Sequence, residues 1–173
     1  MPDRMPDFAV RLARDPEGIA AAQRLRYDVF VEELGGDGPQ VDHARRLERD
    51  GFDETAAHLL LIDRAAGGRT VGTYRLMDAA AAEAAGGFYS EAEFDLAPLR
   101  RSGRRLMELG RSCLHADYRG TAAMYHIWAA LAAHVTDTGT EILFGVASFH
   151  GTNPHALRQP LAYLHYTHLA SPD

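Results

Sequence analysis

The segment from Thr121 to Asp137 constrains the fold more than any other part of the chain. Met124, Ile127, Trp128, Leu131 and Val135 recur at the 3.6-residue period of a helix laid on a core, with Trp128 on its inner face. Gly139 follows as a C-cap. Leu106 to His115 has the pattern of a strand before it, the turn Ala116 to Gly120 joins the two, and Ile142 to Phe149 reads as a buried strand after it. Upstream, Phe8 to Leu12 alternates like a short strand. Asp15-Pro16-Glu17 then supplies an N-cap, an N1 proline and a first-turn acid for a helix running to about Leu34, with Ile19, Ala22, Leu25, Val29 and Phe30 facing inward. Gly35-Gly36-Asp37-Gly38-Pro39 stops that helix, and a polar loop carrying Arg45, Arg46, Arg49, Asp50 and Asp53 continues to Thr55. A loop of this length inside a compact fold is commonly functional.

His58 to Asp63 and Thr70 to Met77 form a hairpin about the turn at 65–68, and Ala79 to Ala85 makes a short helix. Ser90-Glu91-Ala92-Glu93 has capping-box spacing and opens a helical turn ending near Pro98. Gly151-Thr152-Asn153-Pro154 caps a last helix, kinked at Pro160. The order of elements predicts an α/β architecture with a mixed sheet, one domain over residues 1–173.

Composition narrows the chemistry. The 18 basic side chains are all arginine, so a Schiff-base lysine, a Walker A lysine and a lysine-imine aldolase are excluded. With 29 alanines, the count also fits a GC-rich coding sequence. No stretch reaches the roughly 18 apolar residues of a membrane span, and the N-terminal MPDRMPDFAV has no apolar segment of a signal peptide. A net charge of -6 argues against general nucleic-acid binding. The single cysteine, Cys113, suits a reducing cytoplasm. His126 and His134, and His165 and His168, have no carboxylate or cysteine at a spacing that would complete a metal site, so no metal is expected.

The most informative unit is Met107-Glu108-Leu109-Gly110-Arg111-Ser112-Cys113. In an extended strand Glu108, Gly110 and Ser112 share one face, while Met107, Leu109, Arg111 and Cys113 share the other. A glutamate aimed from a mid-sheet strand into a cleft is placed to take a proton from an amine; a structural ion pair with an arginine is the alternative. Cys113, turned away from Glu108, reads as a buried structural thiol. The helix start at 118–121 suits a phosphate, although Arg119-Gly120-Thr121-Ala122 is poorer in glycine than a tight cradle needs.

The phrases Arg26-Tyr27-Asp28-Val29-Phe30, Asp50-Gly-Phe-Asp53, Gly87-Phe-Tyr-Ser-Glu-Ala-Glu-Phe-Asp95, Glu108-Leu-Gly-Arg-Ser-Cys113 and Ala147-Ser-Phe-His-Gly-Thr-Asn-Pro154 carry a resemblance over Arg24 to Ala170. The chain resembles the L-ornithine N-alpha-acyltransferases of ornithine lipid synthesis, often labelled hemolysin-like, in the autoinducer-synthase-like branch of the GNAT superfamily. The resemblance implies a GNAT-like fold, a mixed central sheet flanked by helices, here without the last C-terminal strands. It implies transfer of a 3-hydroxyacyl group from acyl carrier protein to the alpha-amine of L-ornithine, giving lyso-ornithine lipid in the cytoplasm. No cofactor is needed beyond the carrier's phosphopantetheine arm, and contact with the inner membrane stays open. On this reading Glu108 and Arg111 are catalytic. Arg26, Arg75 or Arg111 holds the acceptor's carboxylate, Asp50 and Asp53 hold its ammonium groups, and Phe30 and Ser148 are further substrate-binding positions. Ser112, Cys113, Arg119, Gly120, Arg104 and Arg105 serve the pantetheine arm and the acidic carrier. Two other readings are an acyl-homoserine-lactone-type autoinducer synthase and a non-catalytic domain that binds carrier protein or lipid precursors. Gly35-Gly36 stands where the autoinducer synthases have a tryptophan that helps bind S-adenosylmethionine, which favours the smaller amino acid.

Overall fold

The computed structural model describes residues 5–149, 151 and 153–170. His150 and Thr152, both in the 147–154 phrase, lie outside the described residues. Strand β1 (Phe8–Ala13) leads into α1 (Pro16–Arg26), whose first turn is capped by Asp15 Oδ1 accepting from the Gly18 N–H at 2.9 Å. The chain then widens into a π-helical segment, Tyr27–Glu33, in which the Leu34 N–H reaches back five residues to the Val29 carbonyl at 3.1 Å. A two-stranded ribbon, β2 (Val41–Asp42) and β3 (Leu47–Glu48), sits within the polar loop expected to run to Thr55. The hairpin β4 (Ala57–Asp63) and β5 (Arg69–Asp78) is followed by α2 (Ala79–Ala85) and α3 (Ala97–Arg101). Strand β6 (Leu106–Leu114), helix α4 (Ala123–Thr138), strand β7 (Ile142–Phe144) and helix α5 (Pro154–His168) complete the order.

The main sheet runs β1-β4-β5-β6-β7, antiparallel except for the parallel β6–β7 pair that α4 connects. Leu59, Leu61, Val71 and Leu76 on one face meet Ala123, Ile127 and Leu131 of α4, and this apolar layer is the main core. The other face lies under α1 and is mixed: Leu60 packs on Ala13 and Ala22, while Arg26, His58, Thr73 and Arg75 are all buried there. Pairing of β6 with β7 lasts three residues, ending at Glu108↔Phe144. At Gly145 a Cβ would stand 2.2 Å from the Leu109 carbonyl oxygen, so only a glycine lets the chain leave β6 at that point. The two strands part there and open the sheet.

Several expectations change. The helix expected through Leu34 is α-helical only to Arg26; the wider turn buries Tyr27 and Val29 and leaves Phe30 on a cavity wall. Trp128 is 58% exposed, because the buried stripe of α4 is Ala123, Ile127 and Leu131 and Trp128 lies beside it. The turn at Ser90 is not a capping box begun by Ser90. Tyr89–Ala92 is a 3₁₀ turn whose preceding residue, Phe88, donates its N–H to Glu91, and Pro98 starts α3 instead of ending a helix. The strand expected to reach Phe149 stops at Phe144, where Gly145 turns it away.

Candidate active site

Strand β6 carries an extra residue against β5. Thr73 pairs with Cys113 and Arg75 with Gly110, two steps on one strand against three on the other. The bulge falls at Arg111-Ser112, and Arg111 has a φ of 50°, a left-handed conformation costly for a side-chain-bearing residue. One inserted residue reverses the alternation beyond it. Cys113 therefore shares the face of Glu108 and Gly110, contrary to the alternation expected of a plain strand, and packs against Leu25 and Val29. Burial pushes its thiol up to about 12, and it lines neither of the two cavities described below.

Beside the bulge lies a network of three arginines and three carboxylates. Arg26, fully buried, donates from Nε to Glu48 at 2.5 Å and from Nη1 and Nη2 to Asp53 at 3.0 and 2.5 Å. Arg75 donates from Nη1 to Asp50 at 2.5 Å and to Asp53 at 3.0 Å. Arg111 donates from Nη2 to Asp50 at 3.2 Å and to Gln40 at 3.0 Å. Its Nε stands 3.3 Å from Glu48 as an ion pair, but the N–H is misaligned and makes no hydrogen bond. Burial opposes ionisation of Asp53, yet the bonds and charge of Arg26, with Gln23 and Arg75 behind it, outweigh that and hold its carboxyl well below the usual range. Removing charges from water is repaid only when every charge is matched, as here.

Two cavities meet at this network. A cleft of about 610 Å³ where β6 and β7 part is lined by Phe30, Tyr74, Tyr89, Glu108 to Ser112 and Val146 to Ser148. A chamber of about 480 Å³ lies between the π-helical segment and the 36–41 loop, lined by Phe30, Asp37, Gln40, Glu48 and Arg111 among others. Phe30 and Arg111 belong to both walls. Beyond Glu108 no described strand pairs with the β6 edge that faces the cleft, so its peptide groups are open to a ligand. Glu108 itself is buried at 4% exposure and holds the 3₁₀ turn: Oε2 accepts from the Tyr89 N–H at 2.8 Å, and Oε1 accepts from the Ser90 N–H at 2.8 Å and from the Ser90 hydroxyl.

The structure brings Glu108, Arg111, Phe30, Arg75, Ser112 and Ser148 to the cleft wall. Arg26, Asp50 and Asp53 line neither the cleft nor the chamber; the two carboxylates bind Arg26 and Arg75 and line a separate cavity of about 380 Å³ beside Gln23 and Glu54. The basic residues assigned to the carrier are not one patch. Arg119 and Gly120 stand before the first turn of α4, and Arg119 is paired with Glu33. Arg104 and Arg105 lie at its far end, bonded to Glu141 and the Thr138 carbonyl, about 24 Å away along the 16-residue helix. Sequence reasoning missed Glu48, Asp37 and Tyr89. Only the position of Tyr89 inside the 87–95 phrase offered a signal for any of them. Among the described residues no group of three or more His, Cys, Asp or Glu is arranged to hold a metal, and no helix is long and apolar enough to cross a membrane.

Comparison with known proteins agrees with this geometry. A family model described as an acetyltransferase (GNAT) domain matches residues 25–129. The L-ornithine N(alpha)-acyltransferase of Rhodobacter capsulatus is 58% identical over 167 residues, 94% of this chain and 64% of that protein. The enzyme of the same name from Agrobacterium fabrum is 39% identical over 173 residues, 96% of this chain and 59% of its own length. The chain thus spans about three fifths of the curated relatives it matches. Among solved structures, FeeM, an N-acyl amino acid synthase from uncultured soil microbes, superposes with a TM-score of 0.59 at 19% identity over 80% of this chain and 70% of that one. The AHL synthase LasI follows with 0.58 at 19% identity over 83% and 74%. By the family model, which matches more than half of it, the chain belongs to the acetyltransferase (GNAT) domain family.

Proposed function

We propose that this chain is an N-acyltransferase that moves an acyl group from a thioester to the alpha-amine of L-ornithine. One observation carries the reading: the charged lining of the 480 Å³ chamber is Asp37, Glu48 and Arg111, two carboxylates and one guanidinium, the complement of an amino acid with two amines and one carboxylate. The names of the relatives point to the same acceptor. The open edge of β6 beyond Glu108 suits the amide-bearing arm of a thioester donor, and its peptide N–H groups suit the oxyanion that forms on attack. The neutral amine nitrogen bonds to the thioester carbon, the C–S bond breaks, and the proton lost by nitrogen ends on the departing thiolate. Glu108 takes that proton through a water and then gives it to the thiolate. Three donors engage its carboxylate, and of roughly four acceptor directions on such a group one, on Oε2, stays open. Arg111, at the junction of cleft and chamber, holds the acceptor's carboxylate.

The donor on this reading is a 3-hydroxyacyl group on acyl carrier protein and the product lyso-ornithine lipid, formed in the cytoplasm. The test is mass spectrometry of lipids from a bacterium expressing the chain. N-acyl ornithine is the expected product; an acyl homoserine lactone in its place, or no acylated amine, overturns the proposal.

A further inference from the structure

We infer that Tyr89 is a positioning residue that fixes the Arg111 guanidinium for the acceptor's carboxylate, an inference that rests on the acyltransfer reading above. Arg111 needs such a device. Its backbone is in the left-handed region, on a bulge, where one inserted residue leaves the strand ladder unable to orient its side chain. Of its nitrogens, Nη2 is engaged by Gln40 and Asp50, Nε is buried without a hydrogen bond, and Nη1 has no partner among the described residues. The two hydrogen bonds fall on one nitrogen, and the Nε–Glu48 ion pair at 3.3 Å has no hydrogen-bond alignment, so these contacts define the plane of the guanidinium poorly.

Tyr89 fixes that plane. The Arg111 Cζ stands 4.9 Å from the centroid of its ring, and the Arg75 Cζ stands 5.6 Å from the same centroid. Two cations against one ring, both tied to Asp50, make a rigid assembly: the aromatic ring supplies an attraction to each guanidinium, and Asp50 offsets the repulsion between them. The ring is itself anchored. The Tyr89 backbone N–H donates to Glu108 Oε2 at 2.8 Å, and the Phe52 ring meets the Tyr89 ring edge-on at 5.7 Å. The same residue thereby links the proposed proton acceptor to the proposed carboxylate clamp, so the distance between them is set by one short turn, Tyr89–Ala92.

The test compares Tyr89→Leu, Tyr89→Met and Tyr89→Phe in steady-state acyl transfer, each first checked for a native melting transition. Loss of the ring is expected to raise KM for L-ornithine about tenfold, the scale of a partly desolvated cation–π contact, and to raise the KM for the acyl donor, whose cleft the ring also lines, by clearly less. Tyr89→Phe, which keeps the ring, restores the wild-type KM to within about threefold, since no described residue bonds the phenol. If Leu fails to fold, Met carries the comparison. Equal rises in both KM values, or a Phe variant as impaired as the Leu variant, overturns the inference. A wild-type protein that acylates no ornithine overturns the acyltransfer reading and takes this inference with it, so the two failures are told apart by the unmutated chain alone.

Discussion

Asp53 is the centre of the buried network, and removing its charge is the sharpest perturbation of the fold. Its two oxygens accept from Gln23, Arg26 and Arg75 side chains, and Oδ2 also accepts from the Asp50 N–H at 3.3 Å. Asp53→Ala leaves the fully buried Arg26 with Glu48 alone and Arg75 with Asp50 alone, three cations against two anions. Breaking a buried pair by deleting one partner costs about 3–5 kcal/mol. Against a total stability of about 5–15 kcal/mol, that is about a fifth or more, and at about 2–4 °C per kcal/mol for a chain of this size it lowers Tm by about 6–20 °C. Asp53→Asn keeps the volume and falls at the lower end of that range. The assay is urea unfolding followed by circular dichroism, with Arg26→Met and the double variant completing a cycle whose coupling should reach about 2 kcal/mol. The pH dependence has a definite sign. The folded carboxyl is held below its ordinary value, so its contribution is present above that value of 3.8 and is lost as pH falls through the folded one; Asp53→Asn should lose that acid limb. A loss under about 1 kcal/mol for both variants would refute the view that this cluster is a matched, desolvated network.

Other outcomes follow from single contacts. Glu108→Gln cannot accept from all three of its donors, so it should lower transfer at least about 100-fold and also cost about 1–3 kcal/mol of stability, read by kinetics and urea midpoints together. His58 is buried with Nδ1 unpartnered. Burial pushes it below its ordinary 6.5, against the opposing bond to the Asp53 carbonyl, so stability should fall as pH drops below about 6.5. His58→Gln should flatten that slope in thermal melts across this window. Gly145→Ala puts a methyl group 2.2 Å from the Leu109 oxygen and should cost about 1–3 kcal/mol while reducing acyl transfer, measured by melting and by product yield.

The parts of the fold legible in the sequence were those whose pattern is long and regular. The β6–α4–β7 succession and the β4–β5 hairpin were read near their true places because several apolar positions vote together in each. What escaped were single-residue departures from regularity. A period-two reading of Met107 to Cys113 cannot register one inserted residue, so it turns Cys113 away from Glu108 where the bulge brings the two to one face. A 3.6 period through Leu34 could not show that the helix widens after Arg26. A 3.6-residue period also turns Trp128 inward, because Met124 and Ile127 satisfy it from neighbouring stripes of which only that of Ile127 is buried. The candidate site was legible as a set of residue types, but not as a division of labour. Arg26 and Asp53 look in sequence like ligands for a small charged molecule, and no pattern in one dimension shows that they find each other first.

The bulge at Arg111 and the widened turn at Tyr27–Glu33 are one kind of event on two elements. Each is a single residue more than the regular element would hold, and each presents one side chain, Arg111 or Phe30, to the wall shared by cleft and chamber. A strand or helix shortened by that one residue would be more regular and better bonded, and the wall would lose its side chain. The site therefore occupies the places where the scaffold is most easily improved, and a search for stabilising deletions in this chain would be drawn first to the positions its chemistry depends on.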